Sequence, residues 1–362
     1  MKHVNEFRNN ASFWGLVDAI ERITTTKHTI MEICGGQTHA IAKYQLEKLL
    51  PPTVELVHGP GCPVCVTPQS IIDISIELSQ TSGFIIATFG DMVRVPGTLD
   101  DLQSARAKGA DVRVVFSPLD AVLIAEQNPS KQVVFLGIGF ETTAPANAAA
   151  ILYAYRKGQK NFSLLTSMVT VPPAIEALMN DPDSRLNGIL AAGHVCAVTG
   201  FSKYRILASK YQIPIVVTGF EPLDLLFGIY SCIRLLEIKR FKVENCYKRV
   251  VTANGNILAQ QLVAEVFQEA DQEWRGLGVI PLSGLVVKDK YREFDASARF
   301  VKTVRMESTR DFCLGGDIMR GKLKPFQCPE FGKRCTPEHP IGAQMVSAEG
   351  ACSAYHKYHV TN

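Results

Sequence analysis

Short apolar runs alternate with longer amphipathic stretches over residues 28–240, and this pattern sets the expected architecture. Eight runs are rich in β-branched residues and short enough for buried strands: 29–33, 54–58, 84–89, 112–116, 133–138, 163–169, 188–192 and 213–218. Helical patterns lie between them, at 37–49, 68–80, 118–127, 145–157, 172–179, 200–210 and 221–238. Such alternation is typical of parallel sheets covered by helices on both faces, so the sequence predicts an α/β fold.

Two pairs of segments indicate an internal duplication. LVHGPGCPVCVTP (56–68) is similar to ILAAGHVCAVTG (189–200), and TFGDMVRVPG (88–97) is similar to TGFEPLDLLFG (218–228). The near-constant offset between the paired segments favours two similar α/β units. We therefore expect one unit over residues 28–130, with Cys34 and the Cys62/Cys65 loop, and a second over residues 131–240.

The pattern changes after residue 240. A helical pattern over 257–274 is followed by a strand-like run over 279–287, and from about residue 310 the chain is rich in Cys, Gly and Pro with little periodicity. A segment this poor in regular structure usually needs a disulfide or a bound metal to stabilise it. Residues 241–362, together with 1–27, are predicted to form a third, Cys-rich domain.

Composition narrows the classes of protein. A chain of 362 residues is too long for one ordinary core, and its net charge of +3 is spread without a basic run, so nucleic-acid binding is not indicated. No apolar run reaches the about 18 residues that span a bilayer, and the N-terminus MKHVNEFRNN lacks a signal-peptide core. We expect a cytoplasmic protein without a membrane partner. Its ten cysteines then favour metal binding or redox chemistry over structural disulfides.

Four cysteines of the C-terminal region form a candidate metal site. Cys313, Cys328, Cys335 and Cys352 are spaced C-x14-C-x6-C-x16-C. Four thiolates suit a [4Fe–4S] cluster or a structural Zn²⁺. The absence of a close C-x2-C pair in this tail disfavours zinc without excluding it, and unligated thiols remain the third possibility.

The pair Cys62 and Cys65 lies in a Pro- and Gly-rich loop after a predicted strand. Such a C-x-x-C unit is half of a metal site or a redox dithiol, and no matching second pair is present. A helix beginning near Pro68 would favour the thiolate form. The alternative is two inert buried thiols, which the flanking Pro and Gly residues disfavour.

Cys34 is the third cysteine site, in IMEICGGQTHAI (30–41). The strand pattern ends before Cys34, and Gly35 and Gly36 form the turn into a helix, where they and Cys34 are candidates for binding a cofactor. Because ligands bind at the carboxyl ends of parallel strands, Cys34 is a candidate nucleophile or metal ligand, held as a thiolate by the helix N-terminus, and His39 a candidate proton shuttle. A buried core thiol and a structural histidine are the alternatives. No phosphate-loop or complete dinucleotide fingerprint accompanies the two glycines.

Three further strand ends carry candidate polar residues. Glu141 lies in GIGFETTAP (137–145), His194 in GHVC (193–196) and Glu221 in GFEPLDLL (219–226). Each would face a cleft at the edge of a sheet, where Glu141 is a candidate catalytic residue and His194 and Glu221 are candidates for binding a cofactor. Helix capping or helix-dipole interactions explain the two acids equally well.

Taken together, CGGQTHAI, GPGCPVCVTP, GFETTAP, GHVCAVTG, GFEPLDLL and the tail from GDIMRGKLKPFQCPEFGKRC to EGAC resemble the HypD family of hydrogenase maturation factors over residues 12–358. The resemblance implies two similar parallel-sheet α/β units facing a cleft, plus a small irregular Cys-rich iron–sulfur domain. It also implies a scaffold with redox activity, rather than a single-substrate enzyme, that helps to build the Fe(CN)₂CO group of [NiFe]-hydrogenases.

The resemblance also implies partners and residue roles. The partners would be the small chaperone HypC and the cyanide carrier HypE, whose own partner HypF makes the carbamoyl group; alone, the protein is expected to be a monomer. Cys34 would hold the transient Fe(CN)₂CO group, Cys62 and Cys65 would be the redox dithiol, and the four tail cysteines would bind a [4Fe–4S] cluster. His39 matches the histidine of the family motif, whereas many members carry a second histidine where this chain has Gln37, which cannot titrate.

Two other classes of protein remain open. An iron–sulfur-linked thiol–disulfide oxidoreductase would use the tail and the C-x-x-C pair but would leave Cys34 and Glu141 without a role. A non-catalytic interaction protein would hold structural zinc. Cys196, Cys232 and Cys246 are expected to be structural, although Cys196 mirrors the redox loop.

Overall fold

The computed structural model describes residues 10–301 and 313–358, so most of the polar N-terminal segment lies outside the described residues. The strands are β1 (His28–Glu32), β2 (Val54–His58), β3 (Phe84–Thr88), β4 (Val112–Val114), β5 (Gln132–Gly139), β6 (Phe162–Val169), β7 (Gly188–Ala192), β8 (Ile215–Thr218), β9 (Val243–Asn245), β10 (Phe267–Trp274) and β11 (Gly278–Val287). Within the described ranges, no helix has the length and apolar character needed to cross a membrane.

The helices lie before, between and after these strands. They are α1 (Asn10–Ile23), α2 (Gly35–Lys43), α3 (Pro63–Val66), α4 (Gln69–Gln80), α5 (Leu102–Ala107), α6 (Pro118–Gln127), α7 (Ala144–Lys157), α8 (Val171–Met179), α9 (Gly193–Thr199), α10 (Ser202–Tyr211), α11 (Pro222–Glu237), α12 (Ile257–Val266), α13 (Ala296–Phe300), α14 (Gly315–Met319) and α15 (Ala351–Tyr358). All eight strands predicted between residues 28 and 240 are present, so the α/β class is confirmed.

The strands form two sheets. The first has the order β2-β1-β7-β8-β9 and is parallel throughout. The second has the order β10-β11-β6-β5-β3-β4; its four strands from β3 to β6 are parallel, and the β10–β11 hairpin joins it antiparallel. The predicted parallel sheets are therefore confirmed, with an antiparallel addition at one edge of the second sheet.

The predicted boundary near residue 130 does not separate the two sheets. In the first sheet β1 pairs with β7, so that Ile30 lies opposite Gly188, and in the second sheet β3 pairs with β5. The similar segments 56–68 and 189–200 consequently follow strands of the same sheet. The N-terminal helix α1 packs against α11, beside the first sheet, and not with the C-terminal domain to which the sequence pattern assigns residues 1–27. Strand pairing between distant segments, which local patterns do not encode, decides this arrangement.

The helix predicted over 257–274 is wrong in its second half. Helix α12 ends at Val266, and Phe267–Trp274 is strand β10. It pairs antiparallel with β11, from Phe267 opposite Val287 to Trp274 opposite Gly278. The register shifts between Ala270 and Gln272. The backbone hydrogen bonds of this hairpin override the helical preference of the Glu-, Gln- and Ala-rich sequence.

One apolar core joins the two sheets and positions the strand ends. It includes Met31 of β1, Ile138 of β5 and Val217 of β8, all almost fully buried. The Cys-rich C-terminal segment lies alongside, because α15 packs against α2 and the Arg94 guanidinium donates to the carbonyls of Pro337 and Val346 at 3.2 Å. Strand ends of the first sheet and the C-terminal segment therefore border the same region.

Candidate functional site

Cys34 lies where β1 ends and α2 begins, as the N-terminal capping residue of that helix. Its side chain is 2% exposed. Its Sγ lies 3.8 Å from Nδ1 and 3.9 Å from Nε2 of His194, which belongs to α9 at the end of the neighbouring strand β7. The His194 ring stacks on Phe220 at a centroid distance of 5.1 Å. The imidazole that contacts Cys34 is therefore supplied by the second similar segment.

Burial sets the protonation of this pair. It raises the pKa of the Cys34 thiol far above its ordinary value, with the Glu32 and Glu349 carboxylates adding to the shift and the Gln37 and Gly36 backbone N–H groups opposing it. Burial also lowers the pKa of His194. The expected thiolate at the helix N-terminus is therefore corrected: the isolated site holds a neutral thiol, because desolvation exceeds the stabilisation that the helix provides.

The two glycines after Cys34 allow other segments to approach it closely. A Cβ on Gly35 would lie 2.5 Å from the Glu349 Cβ and 2.7 Å from its carbonyl oxygen. A Cβ on Gly36 would lie 3.3 Å from the Phe220 ring. Their described contacts are thus with protein, and the cofactor-binding role stays a prediction.

The loop with Cys62 and Cys65 packs directly on Cys34. The Gly35 N–H donates to the Gly61 carbonyl at 2.9 Å, and a Cβ on Gly61 would lie 2.2 Å from the Cys34 backbone nitrogen. Cys62 and Cys65 are disulfide-bonded, with a Cα–Cα distance of 5.2 Å, and both are buried. Cys62 caps the short helix α3 by accepting from the Cys65 N–H at 3.2 Å, whereas the helix expected near Pro68 starts at Gln69.

A buried polar chain connects the Cys34 backbone with the C-terminal helix. The Cys34 N–H donates to Glu32 Oε2 at 2.9 Å, and Glu32 Oε1 contacts His58 Nδ1 at 2.7 Å. His58 Nε2 contacts the Tyr355 hydroxyl, also at 2.7 Å, and that hydroxyl donates to Glu47. Glu32, His58 and Tyr355 are almost fully buried. The position of Cys34 is thus linked to that of α15, which also carries Cys352.

His39 is held by the C-terminal segment. Its Nδ1 lies 3.0 Å from the Ala348 carbonyl oxygen and its Nε2 lies 3.2 Å from the Tyr358 hydroxyl. Both ring nitrogens are therefore occupied in a docking contact, and His194 is the histidine in contact with Cys34. Nearby, the Gln37 amide donates to the Ala191 carbonyl at 3.3 Å, and its buried Oε1 has no partner.

The two predicted acids lie in different surroundings. Glu221 caps α11, and its backbone N–H donates to Asp224 Oδ2 at 3.3 Å. In the same motif, the residue that contacts His194 is the aromatic Phe220. Glu141 lines a separate cavity of about 340 Å³ between the two sheets. Burial raises the pKa of Glu141 to about 7.

The four tail cysteines are close together. Cys313, Cys328, Cys335 and Cys352 all line one small cavity whose walls also include Ile318 and Met345. Burial, and then the charges of the other three cysteines, raise the pKa of Cys352, which reflects their proximity. In residues 10–301 and 313–358, no group of three or more His, Cys, Asp or Glu side chains has the arrangement of a single-ion site.

Sequence reasoning missed several residues of this region: Glu32, His58, Phe220 and Tyr355. One local signal was available, since Glu32 is an acid inside an apolar strand pattern. The structure shows it fully buried, and a buried carboxyl group requires partners. Its histidine partner, His58, is 26 residues away along the chain, and the next residue of the polar chain, Tyr355, is 297 residues from His58, so neither could be identified from spacing.

The fold and the site define an α/β protein in which a lone buried cysteine lies beside a cysteine pair, with a four-cysteine segment docked nearby. The family model described as "HypD: Hydrogenase formation hypA family" matches residues 12–359. The hydrogenase maturation factor HypD of Rhodobacter capsulatus is 46% identical, with 99% of this chain and 98% of that protein covered. HypD of Escherichia coli strain K12 is 44% identical, with 99% and 98% covered, and HypD2 of Bradyrhizobium diazoefficiens is 43% identical, with 99% and 97% covered. The chain therefore belongs to the HypD family of hydrogenase maturation factors.

Proposed function

We propose that the protein acts in [NiFe]-hydrogenase maturation by holding the Fe(CN)₂CO group on Cys34 while it is assembled. Its partners would be a HypC-type chaperone and a HypE-type cyanide carrier supplied by HypF, in the cytoplasm and without nucleic acid or membrane. Membership of the HypD family supports the general role. The single observation that carries the specific role is the contact between the Cys62–Cys65 loop and the Cys34 backbone.

The iron group is the substrate in this proposal, and Cys34 is its anchor. Thiolate sulfur suits an iron that carries strong-field ligands. Because the Cys34 thiol is neutral when buried, iron binding must displace its proton. The neutral imidazole of His194, less than 4 Å from Sγ, is the group in contact that can accept this proton.

Cys62 and Cys65 would supply two electrons together. Two electrons cleave the S–C bond of a protein-bound thiocyanate into a thiolate and cyanide, while a dithiol becomes a disulfide and releases two protons. Both cysteines are less than 5% exposed, which restricts exchange with thiols of other proteins. Burial therefore favours a redox role at the neighbouring iron site over that of a general thiol–disulfide oxidoreductase.

The tail residues fit a [4Fe–4S] cluster. Four soft sulfur donors share one cavity, and apolar side chains such as Ile318 and Met345 shield it. When bound there, a cluster supplies single electrons, which a dithiol can hold in pairs. The chain itself contributes the docking of this segment, because α15 carries Cys352 and packs against α2 beside Cys34.

Replacement of Cys34 tests the iron anchor. We expect Cys34→Ala, purified with its small chaperone, to lose the infrared bands of metal-bound cyanide and CO while keeping the visible absorbance of a tail cluster. Cys246→Ala is the matched control, because Cys246 is partly exposed and its thiol donates to Ser231 Oγ at 3.4 Å. Bands that persist in Cys34→Ala contradict the proposal, as does loss of the cluster in that variant alone.

Replacement of Cys62 or Cys65 tests whether this pair supplies the two electrons. Serine at either position should leave the protein folded but stop assembly of the iron group, since one thiol cannot form the disulfide. The measurement is the circular dichroism spectrum together with the same infrared bands. Normal assembly with both cysteines replaced rules the redox role out.

A further inference from the structure

The ring of His194 is held in place by an aromatic neighbour. His194 is the second residue of the short helix α9, and its ring stacks on Phe220 with a centroid distance of 5.1 Å and an angle of 21° between the ring planes. Phe220 lies in the turn between β8 and α11, and it also borders the Cys34 turn, since a Cβ on Gly36 would lie 3.3 Å from its ring. A stacked neighbour restricts the rotation of a ring, so Phe220 orients the imidazole that lies 3.8 Å from Cys34 Sγ.

Tyr247 packs against both turns that carry this pair of rings. Its ring is edge-on to Phe220, with a centroid distance of 6.3 Å and an angle of 89°. A Cβ on Gly193 would lie 2.5 Å from Tyr247 Cδ1, and a Cβ on Gly219 would lie 2.6 Å from Tyr247 Cε2. The residues directly before the two stacked rings are thus glycines, and their lack of a side chain admits Tyr247. The rings of His194, Phe220 and Tyr247 therefore form one packed unit.

Arg249 connects Tyr247 to helix α11. Its guanidinium carbon lies 4.4 Å from the centroid of the Tyr247 ring, within the range of a cation–π interaction. The same group donates to Asp224 Oδ1 at 2.7 Å and to Asp224 Oδ2 at 2.6 Å. Asp224 belongs to the first turn of α11, the helix that follows Phe220 in the chain. The ion pair therefore joins the segment that carries Tyr247 to the turn that carries Phe220.

This ion pair is better suited to fixing geometry than to adding stability. The Asp224 side chain is 3% exposed and the Arg249 side chain 20%, so both charges lose much of their hydration. Pairs buried to this extent give little net stability relative to apolar residues of similar volume, because the lost hydration offsets the attraction. A bidentate contact between arginine and a carboxylate does fix the relative orientation of the two groups. The pair consequently fits a role in keeping Tyr247, and through it His194, in one orientation.

We propose that Arg249 and Tyr247 are positioning residues that hold the imidazole of His194 against Cys34 through Phe220. The inference rests on the proposed function, in which the Cys34 S–H bond breaks as iron binds, the proton passes to a ring nitrogen of His194, and the sulfur binds the metal. Arg249 acts through two rings, so its loss misplaces the proton acceptor while the iron anchor remains. Proton transfer is sensitive to such misplacement, because it requires donor and acceptor within hydrogen-bonding distance.

NMR spectra of the iron-free, full-length protein test the arrangement. With an isotope label at histidine Cε1, each imidazole gives one signal, and His194→Gln identifies the signal of His194. Stacking on Phe220 shields this signal, and Phe220→Leu gives its position without the stack. Arg249→Gln and Tyr247→Leu should each move the signal most of the way towards that position. Tyr247→Phe keeps the ring and should leave the signal in place.

Arg205→Gln is the matched control for the arginine. The Arg205 guanidinium also lies over an aromatic ring, that of Phe201, at 5.2 Å from its centroid. The substitution removes a cation–π contact of the same kind from α10. It should leave the His194 signal unchanged.

The rate of iron loading tests the consequence for function. When the iron group is assembled with the partner proteins, Arg249→Gln should slow the appearance of the infrared bands of metal-bound cyanide and CO about ten-fold. The final band intensity should equal that of the unaltered protein, because Cys34 is intact. A general structural defect would instead lower the final intensity. Tyr247→Phe should load at the unaltered rate.

Three results overturn the proposal: an unmoved His194 signal in Arg249→Gln and Tyr247→Leu, a moved signal with an unchanged loading rate, or a lower final intensity at an unchanged rate. If Arg249→Gln does not fold, the double variant Asp224→Asn with Arg249→Gln replaces it, because this variant leaves no unpaired buried charge. The NMR comparison involves no iron. If the unaltered protein forms no infrared bands, the proposed function fails, and the NMR comparison alone decides whether Arg249 and Tyr247 hold His194.

Discussion

At the scale of single residues, burial decides the chemistry of the site more than position on a helix does. Cys34 occupies a helix N-terminus, yet desolvation raises the pKa of its thiol far above the ordinary value. His194, its neighbour, is shifted by burial in the direction that also keeps it neutral. Burial therefore favours the uncharged form of both side chains, and a metal held by Cys34, as proposed above, would have to displace the thiol proton.

Glu141 should make the stability of the protein depend on pH. Burial raises its pKa from 4.5 to about 7, so the folded protein binds this proton more tightly than the unfolded chain does. The stabilisation is complete below about pH 4.5 and is lost as the pH rises through about 7. Glu141→Gln should remove it, so that the variant gains up to about 3 kcal/mol relative to the unaltered protein between about pH 4 and about pH 8.

Urea unfolding at the two pH values measures this difference. Glu77→Gln is the control, because Glu77 lies on the exposed side of α4. An identical pH dependence in Glu141→Gln and the unaltered protein contradicts the prediction.

Gly61→Ala should destabilise the protein by about 3 kcal/mol. The new methyl group would meet the backbone of Ile33 and Cys34 at less than 2.5 Å, and backbone atoms cannot move aside as a flexible side chain can. Gly15→Ala, in α1, is the matched control: nothing lies within 4 Å of its Cβ, and alanine should stabilise the helix by about 0.5–1 kcal/mol. Chemical denaturation measures the free energy of unfolding of both variants and of the unaltered protein. Equal stability of Gly61→Ala and the unaltered protein contradicts the close approach of Gly61 to the Ile33–Cys34 backbone.

The cysteines of the site could be recognised from the sequence, but their surroundings could not. Cys34, Cys62 and Cys65 lie in short motifs with Gly and Pro, whose local geometry the sequence encodes. The residues that hold them are distant along the chain, since Tyr355 contacts His58 across 297 residues. A histidine such as His39 fits a proton-transfer role by spacing alone, and only tertiary structure shows that its ring nitrogens are already engaged.

At the scale of elements, α15 is fastened to the first sheet through a polar contact in its core. Tyr355→Phe would remove the hydroxyl between His58 and Glu47 and leave buried polar groups without that partner. We expect a loss of about 1–3 kcal/mol in the free energy of unfolding, and faster hydrogen exchange in α15. Tyr358→Phe, which removes only the contact with the partly exposed His39, is the control and should cost less than about 1 kcal/mol. Equal effects of the two substitutions count against the importance of the buried chain.

The segment 257–274 illustrates why some elements resist prediction. Its composition favours a helix throughout, and the first ten residues do form α12. The next eight form β10 because β11 provides a long partner strand, and Phe267 and Trp274 become buried at its two ends. Local preference is worth a few tenths of a kcal/mol per residue, which pairing of this kind exceeds.

At the scale of the whole molecule, the two sheets share the chain in alternating segments. The fragment 28–130 should therefore not fold alone, because β1 lacks its partner β7 and β3 lacks its partner β5. Circular dichroism and hydrogen exchange of the purified fragment check this, with the full-length chain as the reference. A cooperatively unfolding fragment would show that the pairing of these strands is dispensable.

Sequence patterns located the strands but not their order. The near-constant offset between similar segments indicated two units, and each unit was assumed to be continuous. Sheet membership depends on which strand edges meet in three dimensions. Strand β7 lies between β1 and β8, although 129 residues lie between the end of β2 at His58 and the start of β7 at Gly188. Connections of this kind have no local code.

The alternation of the sheets also has a consequence for biosynthesis. As the chain leaves the ribosome, β1 emerges long before the strand that completes its pairing, since Thr29 hydrogen-bonds to Asn187, 158 residues later. Cys34 and the Cys62/Cys65 loop are translated in the first fifth of the protein, but the segment that carries His194 and shelters them is translated only in its second half. During that interval the nascent Cys34, Cys62 and Cys65 side chains lack the later segments that bury them in the folded protein.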